Sequence, residues 1–250
     1  MFVSFLIELK MLIVGLTGGI ACGKSTVSRR LKDKYKIPIV DADKIARDVV
    51  EPGERVYKAI VEHFKDKIPE LLLEDGHLNR PMLGKYVFSN PDDLKILNGL
   101  THPAIRHAMA KEVISYYMKG YRMCILDVPL LFEGGLDTFC GVTVSVICDN
   151  ETQLERLQVR DITLSTEDAR NRIKSQMSME QRIEVSDYVL NNDTTVVDLY
   201  QQIDDLMRKI RPTTIRTMLE YFPPFGIVSA GAIVATRYIH GKPRYDKKTA

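Results

Sequence analysis

The sequence predicts an α/β protein, a parallel sheet flanked by helices, with a helical lobe and a helical lid set between its strands. Three observations carry this expectation. Short apolar runs of strand length alternate with segments of helical periodicity, as in βαβ units. The first run ends on a glycine-rich loop, and a block from about residue 54 to 119 shows only helical spacing before strands resume.

Met11 to Leu16 is continuously apolar, as a strand buried on both faces should be. Beyond the glycine loop, Val27, Leu31 and Tyr35 recur at helical spacing. Ile37 to Val40 reads as a second strand ending on Asp41-Ala-Asp43, and Ile45, Val49 and Val50 suggest a second helix. The helical block then has four periodic segments, marked by Val56 and Ile60, by Leu83 and Val87, by Leu94 and Leu97, and by Met109 and Val113. Asp75-Gly76, Asn90-Pro91 and His102-Pro103 should punctuate them. Strands return at Met123 to Val128, Val142 to Cys148 and Tyr188 to Leu190, giving at least five. Charged helical segments at Glu151 to Arg160 and Thr166 to Gln176 form the expected lid, and a last helix ends at Arg211-Pro212.

Bulk composition narrows the function. The 250 residues are 45% hydrophobic, enough for one sizeable core and a smaller satellite lobe. With 35 Lys plus Arg against 33 Asp plus Glu, the chain has no basic surplus for tracking a nucleic acid backbone, so nucleic acid is not an expected partner. Cys22, Cys124, Cys140 and Cys148 lack C-x-x-C spacing and read as reduced thiols of an intracellular, cytoplasmic protein. The five histidines make no zinc-like pattern, so any metal should be Mg²⁺ brought with a nucleotide. Met1 to Leu9 is apolar but lacks a basic n-region and carries Glu8, which does not read as a signal peptide.

Gly18-Gly19-Ile20-Ala21-Cys22-Gly23-Lys24-Ser25, followed by Thr26, satisfies G-x-x-x-x-G-K-[ST] between a strand and a helix. Such a loop curls backbone amides around phosphates, with the helix N-terminus aimed at them. Lys24 should reach the β and γ oxygens of ATP, and Ser25 should ligate Mg²⁺. The GTPase signatures D-x-x-G and N-K-x-D are absent from the sequence. A P-loop nucleotide-kinase-like fold with a small-molecule acceptor follows.

Asp41-Ala-Asp43 stands at the end of a strand, the edge where open α/β sheets bind ligands. Asp41 reads as a helix cap, and Asp43 either as a second cap or as the base that orients an acceptor hydroxyl. Arg156 and Arg160 fall one helical turn apart and serve either as a solvated face or as a lid that meets the triphosphate. Asp127 ends an apolar strand, either as a Walker-B-like acid near Mg²⁺ or as a surface-facing terminus. His102 either contacts the acceptor or caps a helix.

Taken together, Leu16-Thr-Gly-Gly-Ile-Ala-Cys-Gly-Lys-Ser-Thr26, Asp41-Ala-Asp-Lys-Ile-Ala-Arg47, Val50-Glu-Pro-Gly53, Thr101-His-Pro103 and Pro129-Leu-Leu-Phe-Glu133 resemble dephospho-CoA kinase. Gln153-Leu-x-Arg156-x-x-x-Arg160, Gln176 to Arg182 and Asp187-Tyr-Val-Leu-Asn-Asn192 extend the likeness. The resemblance implies ATP-dependent phosphorylation of the ribose 3′-hydroxyl of dephospho-CoA, the last step of coenzyme A biosynthesis. It implies Lys24, Asp43 and Arg160 as catalytic residues and Arg47 and His102 as substrate contacts. It also implies a kinase domain over residues 11–212, with a CoA lobe at about 54–119 and a lid at about 151–182. Cys22 departs from the Ser or Gly common at its position, and no H-x-G-H signature of the fused bifunctional enzyme occurs. Two other readings stand beside it: a P-loop kinase for a nucleoside or nucleotide, and a non-catalytic nucleotide-binding protein attached to a membrane.

The tail, residues 213–250, carries an uncharged run from Phe225 to Thr236. As a helix it spans about 18 Å, short of a hydrocarbon core of roughly 30 Å. Extending it to 221–239 approaches that length, and two readings follow: a helix packed on the core, or contact with a mitochondrial or other membrane. Longer animal members of the resembled family carry such a stretch.

Overall fold

The computed structural model describes residues 11–162 and 164–211. The apolar starts at Met1 to Leu9 and the whole tail, including 221–239, lie outside the described residues. The chain divides into two compact units, one of residues 11–39 and 116–211 and the other of 40–115.

In chain order the elements are β1 (Leu12–Gly18), α1 (Lys24–Tyr35), β2 (Ile39–Asp41), α2 (Ala42–Asp48), α3 (Arg55–Phe64), α4 (Arg80–Phe88), α5 (Pro91–Met118) and β3 (Met123–Asp127). After a short 3₁₀ turn at Asp137–Phe139 come β4 (Val142–Ile147), α6 (Asn150–Arg160), α7 (Thr166–Lys174), α8 (Met179–Val185), β5 (Tyr188–Asn191) and α9 (Val196–Ile210). The five strands form one sheet in the order β2-β3-β1-β4-β5. β1 runs parallel to both β3 and β4, and β4 runs parallel to β5. The loop after β1 therefore leaves the carboxyl edge of a central strand.

β3 is buried along its whole length and β1 at every position but its first, which is why both read as unbroken apolar runs. Val14, Leu16 and Ile125 pack with Val27 and Leu31 of α1 and with Leu199 and Ile203 of α9. Each such side chain contributes about 1.5–3 kcal/mol on burial. At the rim of that contact Tyr35 donates to Asp204 at 2.6 Å, and burial together with this carboxylate pushes the phenol up to about 12.

The second unit has its own core of Ile60, Phe64, Leu71, Leu83 and Val87. Asp93 ties its helices by accepting from Lys67 at 2.6 Å and Tyr86 at 3.0 Å, with His63 also 3.0 Å away. Lys67 first and His63 second hold this carboxyl down at about 2.

Two expectations are corrected. His102-Pro103 does not end a helix: α5 runs 28 residues with Pro103 inside it. Proline removes one bond of the ladder and crowds the carbonyl four residues back. Here that residue is Gly99. Leu94, Leu97 and Leu100 before the proline pack on the second unit's core, and Met109 and Val113 after it are buried. This packing holds the helix together across the defect. The lid segment, in turn, holds three helices rather than two. The signal for α8 was present in the sequence as Ser178-x-x-Gln181, which forms a full capping box.

Candidate active site

The loop between β1 and α1 is shaped by its glycines and held by side chains from elsewhere in the first unit. Gly23 has φ of 91°, in the left-handed region, and a side chain there would meet Asn192 Nδ2 at 2.3 Å. Only glycine satisfies both conditions. Asn192, just beyond β5, donates to the Cys22 carbonyl at 2.9 Å. Gln153 of α6 donates to the Ile20 carbonyl at 2.7 Å, and Gln176 accepts from the Ile20 amide at 2.8 Å. The Cys22 amide donates to Gly19 at 3.1 Å. The amides of Lys24 and Ser25 open α1, where no intrahelical acceptor exists for them.

Lys24 Nζ donates to Asp127 Oδ1 at the end of β3. Asp127 is only 6% exposed, so of its two sequence readings the surface-facing terminus is excluded. Thr17 Oγ1 donates to the Pro129 carbonyl at 2.7 Å and fixes β1 to the segment after β3. Arg182 of α8 lies almost wholly buried, its Nη1 donating to Thr17 Oγ1 at 3.4 Å and its Nη2 to Glu133 Oε1 at 3.2 Å. Cys148 donates its thiol hydrogen to Cys22 Sγ at 3.3 Å. That bond, with the charges of Arg182 and Arg156 adding to it, lowers the Cys22 thiol against the opposing effect of burial. The same contact and burial raise Cys148.

Of the two lid arginines, Arg156 is half-buried and donates from Nη2 to the Asn192 carbonyl at 3.0 Å. Its Nη1 is buried and has no hydrogen-bond partner among the described residues. Arg160, in the last turn of α6, is exposed. In the second unit Asp41 caps α2 by accepting from the Lys44 amide at 3.0 Å, the cap reading made from sequence. Asp43 in the first turn of that helix and Arg47 in its last turn are exposed, as is His102 on α5. The Arg47 carbonyl accepts from Arg80, which also reaches Glu51 at 3.1 Å.

A family model for dephospho-CoA kinase matches residues 12–198. The chain belongs to the dephospho-CoA kinase family. It is 67% identical over 240 residues to the dephospho-CoA kinase of Saccharomyces cerevisiae, covering 96% of this chain and all of that one. A dephospho-CoA kinase of Bacillus cereus is 43% identical over 197 residues, 79% of this chain and 96% of the relative. Among solved structures, a protein from Thermus thermophilus matches with TM-score 0.67 and 29% identity, over 81% of this chain and 99% of its own. The dephospho-CoA kinase of Campylobacter jejuni matches with TM-score 0.61 and 28% identity, over 79% and 96%. The family activity is the one expected from the sequence: a kinase with ATP as phosphoryl donor and dephospho-CoA as acceptor, at the last step of coenzyme A biosynthesis.

Sequence reasoning missed the supports of the loop. Gln153, Gln176, Arg182, Asn192 and Glu133 all lay in segments that resemble the dephospho-CoA kinase family, yet none was given a task. Part of their signal was chemical: Gln153 and Arg182 are polar positions within lid helices and Asn192 directly follows an apolar strand, whereas Glu133 and Gln176 lie in connecting segments that carry no such mark. Among the described residues no helix is long and apolar enough to cross a membrane, and no three His, Cys, Asp or Glu side chains cluster as a metal cage.

Proposed function

We propose that this chain phosphorylates the ribose 3′-hydroxyl of dephospho-CoA with the γ-phosphoryl group of ATP, using Lys24, Asp43 and Arg160. The observation that supports this most is the lysine of the loop held at the carboxyl edge of β1 by a buried acid, Asp127. Phosphoryl transfer passes through a loose transition state with little covalent work for the protein, so positioned charge and orientation do the catalysis. Lys24 supplies such a charge without reorganising, because Asp127 already fixes it.

The Ile20 and Cys22 amides are occupied inside the protein, so the remaining loop amides, notably those of Lys24 and Ser25 at the start of α1, hold the phosphates. Gly18, Gly19, Ala21, Gly23 and Thr26 complete the loop, and Arg156, with its unpaired Nη1, contacts the same triphosphate. Arg160, exposed at the end of α6, meets the γ-phosphoryl group. Asp43 orients the acceptor hydroxyl and takes its proton late, which an exposed carboxylate can do. Arg47 and His102 contact the acceptor, and the helices of 40–115 form its lobe.

Ser25 and Asp127 offer oxygen ligands only, and no all-protein cage accompanies them among the described residues. That donor set fits Mg²⁺, which keeps several waters and is held by one or two protein oxygens plus phosphates. When bound, the ion neutralises charge on the β and γ oxygens.

The reading is tested by coupled measurement of ADP production with dephospho-CoA, uridine and nucleoside monophosphates as acceptors. Turnover is expected with dephospho-CoA alone. Activity with a nucleoside or nucleotide and none with dephospho-CoA would replace it.

A further inference from the structure

We propose that Cys22 and Cys148 form a dithiol behind the phosphate loop, which a hydroperoxide oxidises to a disulfide that distorts the loop. Their sulfurs lie 3.3 Å apart, already in hydrogen-bond contact, while their backbones belong to separate pieces of the unit. Cys22 sits in the loop and Cys148 just beyond β4.

Both side chains are nearly inaccessible, at 3% and 2% exposure, yet both line a cavity of about 40 Å³. Asn150 and Ser178, both exposed, stand on its wall, and Arg182 is among the residues that line it. A cavity needs only about 10–15 Å³ of such space to hold a water, so this one admits a molecule of peroxide size. The hydrogen bond from Cys148, with the Arg182 and Arg156 charges adding to it, favours the Cys22 thiolate, the reactive form. Cys140, by contrast, donates to the Leu136 carbonyl at 3.6 Å and has no share in this cavity.

The chemistry balances with the hydroperoxide as sole oxidant. Cys22 thiolate attacks the distal oxygen; an S–O bond forms, the O–O bond breaks, and the other oxygen leaves as water or an alcohol after taking up a proton. Cys148 Sγ then attacks Cys22 Sγ; the S–S bond forms, the S–O bond breaks, and hydroxide leaves with the Cys148 proton as water. Two thiols lose two electrons and one peroxide gains them.

A disulfide requires an S–S distance of about 2.05 Å, so the sulfurs must close by roughly 1.2 Å. The loop cannot follow without disturbance. Cys22 is tied to Gly19 and Asn192 through its backbone, and its sulfur lies within 2.9 Å of where a Gly19 side chain would begin. The effect on turnover rests on the proposed role of the loop, whereas the cross-link does not.

The experiment treats the full chain with hydrogen peroxide and reads both a non-reducing peptide map and ATP-dependent turnover. The expected result is a linked Cys22–Cys148 peptide with at least a tenfold loss of turnover, both reversed by dithiothreitol. Cys148→Ser should keep basal turnover within twofold, form no link, and lose activity irreversibly as Cys22 oxidises further; Cys148→Ala repeats the test if the serine variant folds poorly. Two peptides that stay reduced, or a link formed through Cys124 or Cys140 instead, would overturn the dithiol. A Cys22–Cys148 link with unchanged turnover would overturn the distortion. Since the map reads the bond itself, its result stands whatever becomes of the nucleotide-binding assignment.

Discussion

In the first unit the phosphate loop is bonded through the backbone of Ile20 and Cys22 and the side chain of Lys24 to Gln153, Gln176, Asn192 and Asp127, side chains from separate segments. In the second unit the residues assigned to the acceptor, Asp43, Arg47 and His102, stand exposed on helix surfaces. The contrast is between a site set before its ligand arrives and residues whose surroundings the ligand must complete. Preorganised donors do not reorganise during reaction, which suits a triphosphate that always presents the same atoms. Exposed residues add little to stability, so their loss should separate function from folding.

That separation is sharpest at Asp43. Asp43→Asn should lower kcat by about 10²–10⁴, the usual share of a positioned base. Thermal stability and ATP affinity should stay as in the unsubstituted protein. A variant with full turnover would remove Asp43 from the chemistry; one with a lowered Tm would break the comparison itself, by making an exposed residue structural.

The same contrast governs what could be read from the sequence. The sheet was legible because strands buried on both faces must be continuously apolar, and the loop because close approach to phosphate demands glycines at fixed spacing. Lys24 and Asp127 were legible individually, but their ion pair joins the start of α1 to the end of β3, segments distant in sequence, and no local pattern encodes it. Arg182 was hidden for a related reason. In sequence it is one more charged residue of a polar helix, and only the fold buries it between Thr17 and Glu133. Pro103 misled because local propensity favours a break there, while packing on both sides of it sustains the helix.

Arg182 allows the converse test, a change that should act on stability first. Arg182→Met leaves Glu133 Oε1 with the Met177 amide as its one remaining hydrogen bond among the described residues and removes a nearly buried charge from a pair. Breaking such a pair on one side costs about 3 kcal/mol or more. For a chain of this length that lowers Tm by roughly 6–12 °C. Adding Glu133→Gln should recover part of the loss, because the unpaired carboxylate is then gone. A double variant no more stable than Arg182→Met would show that Arg182 acts through packing alone.

Asn192→Ala probes a single support of the loop. The Cys22 carbonyl loses a 2.9 Å donor, at a cost of about 1–3 kcal/mol. If that support is spent on holding the loop for phosphate, ATP affinity falls roughly tenfold to a hundredfold, while the KM for dephospho-CoA, measured at saturating ATP, is unchanged. Calorimetric titration with ATP reads the first quantity directly. Equal weakening toward both substrates would mean that the loop and the acceptor residues are not independent.

The smallest expected effect lies in the second unit, which is fixed by a charged cluster rather than by a preformed loop. Asp93 is held at about 2 by Lys67, then by His63. Its ordinary value is about 3.9, so the folded-state value is depressed. A depressed carboxyl contributes stability that is present above its unfolded value and disappears as pH falls through its folded one. Against the unsubstituted protein, Asp93→Asn should therefore show a constant deficit in denaturant midpoint from pH 7 to about 5. The deficit should shrink below about pH 4 and close near pH 2. Circular dichroism at each pH measures it. Parallel curves across the whole range would mean that Asp93 holds α3, α4 and α5 by shape and hydrogen bonding without its charge, and the second unit would then owe its cohesion to its apolar core alone.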